Sequence, residues 1–215
     1  MSTILLCIET ATPVCSVCIS EEQTILAKVE SVEPNNHAKI LAVLIQKALL
    51  LAQKKIADLT AICVSEGPGS YTGLRIGFAT AKGICYAANL PLILVPTLQA
   101  MAIGMKPNAK DGFVLCPVLD ARRNDVYFSF FNTNAEEITP HNCKSVDEVN
   151  GLLLQMQSKA IVAGTGTNKF EMFLDSVIIS NENVIDAQNI VSIGLEKFKN
   201  NQFADLAYSE PVYRK

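Results

Sequence analysis

Three features of this sequence have the residue types and placement that chemistry needs. The first is a pair of acids, Glu9 at the end of the apolar run ILLCIE and Asp120 at the end of VLCPVLD. The second is the stretch SEGPGSYTGLRIG, residues 65–77, which holds four glycines and a proline and runs into a helix bearing Arg75 near its start. A nucleoside triphosphatase loop needs GxxxxGK[ST], and GPGSYTG has no lysine at the required place. The dinucleotide fingerprint needs GxGxxG, whereas Gly67, Gly69 and Gly73 give a spacing one residue too long. What remains is general: free backbone N–H groups at a helix start, with Ser70 as N-cap, can hold an anion. The competing reading is a tight strand-to-helix turn whose glycines serve backbone geometry. Arg75 sits where the helix dipole disfavours a cation, so an acidic or phosphorylated group outside the loop is one reason for it to be there.

The third feature is the cysteine and histidine set. Seven cysteines lie mostly inside apolar runs, which reads as reduced, buried thiols. Cys15 and Cys18 form a CxxC, but in an alternating strand pattern, where residues three apart point to opposite faces; a redox pair wants a helix N-terminus. His37 and His141 are far apart in sequence, no Cys/His spacing makes a metal site, and His37 reads as a surface residue at a helix start.

The elements that must position these residues follow from pattern. Residues 4–9, 14–20 and 24–30 read as an antiparallel meander; then come a helix at 36–55, a strand in LTAICVS, the glycine loop, a helix at 70–88, a strand LILV and a helix from Thr97 to about Gly104. The polar segment GMKPNAKDG, residues 104–112, is the candidate boundary, giving an N-terminal lobe at 1–106 and a smaller C-terminal lobe at 107–215 whose last helix is free to return to the first. The second lobe repeats the opening plan of strand, acid, turn and returning strand, then a helix at 146–157, a strand AIVAG with Gly164, a loop with Gly166, and a helix at 186–199. This layout predicts a duplicated α/β fold with a cleft that the acids face. The 49% apolar composition supplies a core, and a net charge of -3 argues against unaided nucleic-acid binding. With no apolar run near the roughly 18 residues of a membrane span, and no export signal at the start, the expected location is cytoplasmic, with no membrane partner.

The two helices of the first lobe carry more apolar surface than one core needs. On a wheel of about 100° per residue, the apolar positions of residues 40–52 sweep about 200°. Val43 and Leu50 even fall among Lys39, Gln46, Lys47 and Lys54. In the next helix Gly73, Gly77 and Ala81 recur at every fourth position, and interior glycines cost about 0.8–1 kcal/mol each, so a second backbone, internal or foreign, must approach there. The expected partner surface is Ile40, Val43, Leu44, Lys47 and Leu50 of the first helix with Tyr71, Thr72, Leu74, Arg75, Gly77, Phe78 and Ala81 of the second. A bulky residue at Gly77 is expected to abolish the complex and leave the fold intact.

CIETAT, SEGPGSYTGLRIG, AKGICYAANLPLILVPTLQAMA, LDARRNDVYF and EPVYRK together resemble the TsaB (YeaZ) family of bacterial tRNA threonylcarbamoyladenosine biosynthesis proteins, over nearly the whole chain. The resemblance implies an actin-like, ribonuclease H-like two-lobe fold. It also implies a non-catalytic subunit that pairs through first-lobe helices with a TsaD-like transferase, together with a TsaE-like ATPase, to place threonylcarbamoyl on the adenosine beside the anticodon of ANN-decoding tRNAs. Contact with tRNA would be through the complex, and a homodimer would form when the chain is alone. Where the transferase carries an HxxxH metal pair, this chain has Thr97 and Met101, and neither replaces an imidazole. Glu9 stands where the family usually has Asp, and Ala11 restricts the phosphate turn. The expectation is no intrinsic cofactor, with ATP or ADP at a composite site of the complex; the candidate residues for a nucleotide or composite site are Glu9, Thr10, Gly67, Gly69, Ser70, Gly73, Asp120, Gly164 and Gly166, of which Gly164 and Gly166 leave room for weak nucleotide binding by this chain. The competing readings are a stand-alone ATPase or metallopeptidase of the actin-like superfamily, and a self-associating binding module.

Overall fold

The computed structural model describes residues 2–33, 36–156, 158–170, 177–180 and 185–213. Its first sheet contains β1 (Ile4–Glu9), β2 (Cys15–Glu21), β3 (Thr24–Ser31), β4 (Ala61–Gly67) and β5 (Leu92–Pro96) in the order β3-β2-β1-β4-β5. Its second contains β6 (Val114–Asp120), β7 (Asp125–Phe131), β8 (Glu137–Ser145), β9 (Ala160–Ala163) and β10 (Val177–Ser180) in the order β10-β9-β6-β7-β8. In each sheet the first strand pairs antiparallel with its hairpin partner on one side and parallel with a later strand on the other. The order is the same read from the meander edge, so the duplication expected from the sequence extends to complete five-stranded sheets. This is the actin-like α/β fold of two units.

The described chain divides into Met1–Thr97 with Asp186–Val212, and Leu98–Ile185 with Tyr213. The division therefore falls earlier than the 104–112 segment. Helix α3 (Thr97–Met105) places Leu98, Met101, Ala102 and Met105 in one apolar cluster with Leu115, Leu119 and Phe131 of the second sheet, which fixes its allegiance.

In the first unit, α1 (His37–Leu51) and α2 (Tyr71–Ala88) share a cluster with one face of the first sheet. Leu41, Leu44, Ile45 and Ala48 pack from α1, and Phe78, Ala81 and Cys85 from α2. Helix α1 stops short of the expected residue 55 because Gln53 adopts a left-handed φ of 53°. Gln53 N then donates to Leu50 O at 3.1 Å and Lys54 N to Leu49 O at 3.0 Å, the pair of bonds that closes a helix end. The opposite face of the sheet receives α5 (Val191–Lys199), where Gly194 lies so close to Cys63 Sγ that a Cβ would stand 2.6 Å from it. α5 begins only after a short 3-10 turn, Ala187–Ile190, capped by Asp186. The remaining helix, α4 (Val146–Gln155), starts with a capping box of Ser145 and Glu148.

Cys15 and Cys18 lie on β2 and are buried; burial pushes each thiol up to about 12, which suits packing and not redox exchange. His37 corrects the expectation of a surface position: it is buried, with Nε2 3.0 Å from Thr12 O. No helix among the described residues is long and apolar enough to cross a membrane.

Candidate functional site

The glycine loop is filled by the protein's own chain. The turn after β1 crosses it: a Cβ on Gly73 would strike Thr10 O, one on Gly77 would strike Thr10 Oγ1, and one on Gly69 would sit 2.6 Å from both Cβ and O of Ala11. Gly67, at φ 113°, meets Val212 O from the far end of the chain. The close backbone approach inferred from the glycine stripe is therefore internal. A bulky residue at Gly77 would disturb the fold itself, which corrects the expectation that the fold survives it.

Three of the N–H groups along this loop are engaged as well. Ser70 caps α2, its hydroxyl accepting from Gly73 N at 3.2 Å while its own N–H donates to Ala11 O at 2.7 Å. Gly67 N donates to Thr97 Oγ1 at 3.1 Å. Of the two sequence readings of this loop, the geometric one describes these contacts.

Glu9 is turned inward. It is fully buried at the end of β1, where Oε1 accepts from Ala11 N at 2.6 Å and Oε2 accepts from Ser65 Oγ. Burial pushes its carboxyl up to about 7; the hydrogen bonds from Ser65 and Ala11 pull against this, and Asp186 adds to it. Beside it Thr10 Oγ1 is buried and has no hydrogen-bond partner among the described residues.

Asp120, the counterpart at the end of β6, behaves differently. It is exposed, with Oδ1 accepting from Lys169 Nζ and from Arg122 N, both at 2.6 Å. Burial raises its pKa, but the bonds from Lys169 and Arg122 outweigh this and hold it below the ordinary carboxylate range. Gly164, at φ 126°, is pressed against Val118 O and Met101 Cε, and a Cβ on Gly166 would stand 2.9 Å from Val126 Cγ1. Among the described residues, one unit thus holds a buried acid without a cation partner, the other an exposed acid with one. Among the described residues no cluster of three His, Cys, Asp or Glu can hold a metal ion. Thr97 and Met101 are both buried.

The helix face is the feature left open. Leu50 is 77% exposed, Tyr71 53% and Val43 52%, with Lys47, Thr72 and Arg75 exposed around them and Ile40 half-buried. Leu44, Leu74, Gly77, Phe78 and Ala81 do not belong to this surface: they are buried against the unit's own core. Leu51 and Tyr86, the latter 86% exposed, were not anticipated. Tyr86 was readable from helical spacing, since positions 71, 75, 79, 82 and 86 run along one stripe of α2. The Arg75 guanidinium lies 4.0 Å from the centre of the Tyr71 ring, so this cation has a local partner within its own helix.

A family model described as TsaD, tRNA N6-adenosine threonylcarbamoyltransferase, matches residues 17–211. The tRNA threonylcarbamoyladenosine biosynthesis protein TsaB of Escherichia coli (strain K12) is 27% identical over 97% of this chain and 93% of its own length. The protein of the same name from Bacillus subtilis (strain 168) is 25% identical over 81% and 76%. Among solved structures, YeaZ from Pseudomonas aeruginosa aligns with a TM-score of 0.82 at 20% identity, covering 98% of this chain and 100% of that one. An activator of 2-hydroxyisocaproyl-CoA dehydratase from Clostridium difficile, with bound ADPNP, aligns at 0.54 and 9% identity over 94% and 97%, a likeness of fold alone.

Proposed function

This chain belongs to the family described as TsaD, tRNA N6-adenosine threonylcarbamoyltransferase, and on that premise we propose that its part in tRNA threonylcarbamoyladenosine biosynthesis is to dock onto a catalytic partner. The partner is a TsaD-like transferase working with a TsaE-like ATPase, and tRNA meets this subunit only within their complex. The observation that carries this reading is the exposed apolar surface of α1 and α2, centred on Val43, Leu50 and Tyr71. Large exposed side chains grouped on adjacent helices mark a contact surface. A subunit that binds only the active state of an enzyme raises its activity without supplying a reacting group.

The engaged amides of the glycine loop and the inward turn of Glu9 support a non-catalytic role. ATP or ADP is then bound at a composite site of the complex and not by this chain alone. The role is tested by reconstitution: threonylcarbamoyl transfer to an ANN-decoding tRNA by the transferase and ATPase, with and without this chain. Transfer is expected only when the chain is present, and an equal rate without it overturns the reading.

A further inference from the structure

The surface of α1 and α2 is apolar and carries charge of one sign. Neither helix contains an aspartate or a glutamate. Lys39, Lys47 and Arg75 are exposed on it, beside Val43, Leu50 and Tyr71. The side chains of Lys39 and Lys47 form no hydrogen bond or ion pair among the described residues, and the Arg75 guanidinium has only the Tyr71 ring. Lys82 is different, since its Nζ donates to Ala207 O and Ser209 O. The acids nearest to α1 in sequence, Glu33 and Asp58, stand beyond its two ends and accept from Asn36 Nδ2 and Lys55 N. A chain of net charge -3 therefore presents on these two helices an apolar surface whose own charges are all positive.

Sign decides which occupant fits. In a two-fold pairing of identical surfaces, three cations of one copy face the same three of the other, with no carboxylate from either helix to pair them. Like charges brought together at an interface disfavour that partner, and opposite ones speed and orient docking. We propose that this face selects a partner whose docking helices carry carboxylates, and selects against a second copy of this chain. The proposal rests on the reading that α1 and α2 are the docking elements, and adds the chemistry of what docks.

A reversed copy, K39E/K47E/R75E, supplies the probe: the same shape with acidic charge. Dissociation constants of the wild-type homodimer and of the mixed wild-type and reversed pair are measured by sedimentation with one labelled species. The salt is about 50 mM and then about 500 mM, between which the screening length falls from roughly 14 to 4 Å. At low salt the mixed pair is expected to be tighter than the wild-type homodimer by on the order of tenfold or more, and at high salt the two converge. A smaller ratio, a ratio independent of salt, or no mixed pair at all overturns the proposal. Circular dichroism verifies that the reversed copy is folded. Should it not fold, the neutral copy K39Q/K47Q/R75Q takes its place and must self-associate about tenfold more tightly than wild type at low salt, failing which the proposal falls. No transferase enters these measurements, so a transferase that ignores this chain sinks the docking role without touching the charge rule, and the converse holds as well.

Discussion

Replacing Glu9 by glutamine should remove a pH dependence of stability that the buried carboxyl imposes. Glutamine keeps the length of the acid; its carbonyl still accepts from Ala11 N, and Ser65 Oγ turns to accept from the amide, so the variant mimics the protonated state. Burial raises the Glu9 pKa from 4.5 to about 7, and each pKa unit is worth about 1.4 kcal/mol. The unfolded chain ionises Glu9 first, so its stabilising contribution is full below pH 4.5 and lost as pH rises through about 7. Between about pH 5 and about pH 8 the wild type should lose about 2.5 kcal/mol relative to Glu9→Gln. That is a relative shift of roughly 1 M in the urea midpoint. Other titrating groups are common to both proteins and cancel in the difference. A difference that changes by less than about 0.5 kcal/mol over this range, set against the full linkage value, would show that Glu9 is not held in a dry environment.

Gly73→Val should prevent folding or lower stability by about 3 kcal/mol or more, because its Cβ enters the space of Thr10 O; thermal melting checks this, with Gly83→Ala as the comparison, whose Cβ meets nothing within 4 Å and which should raise stability by up to about 1 kcal/mol as a helix-interior glycine replaced by alanine. Lys169→Ala should let the Asp120 carboxyl rise into the ordinary range, as read by carbon NMR across an acid titration, while stability changes by about 1 kcal/mol or less, since the pair is partly exposed. A thiol reagent should modify Cys143 first in the native protein and all seven cysteines only after unfolding, since Cys7, Cys15, Cys18, Cys63, Cys85 and Cys116 are buried.

The alternating hydrophobicity of the two hairpins and the apolar spacing of α1 and α2 placed most elements within a few residues. Strand β8 gave no such signal because EITPHNCKS is polar, contains Pro140 and has no buried residue. Strand β10 is only four residues long. The 104–112 segment has the composition of a linker, but composition does not say which sheet a neighbouring helix packs against, and α3 went to the second. The helical wheel gives α1 a broad apolar arc without locating its buried centre, so Leu44, expected on the partner surface, is buried, while Val43 and Leu50 are exposed. The glycine stripe announced a close neighbour; only the fold identified it as Thr10. His37 was misjudged because its partner, Thr12 O, is brought to it by the tertiary fold.

The docking role is tested most directly by titrating the transferase and ATPase with this chain and with Leu50→Asp, and following threonylcarbamoyl transfer to saturation. A subunit that acts by binding predicts a half-saturating concentration on the order of tenfold higher or more for the variant and an unchanged plateau. A wild-type titration curve from Leu50→Asp, or a plateau that falls at saturation, would contradict it.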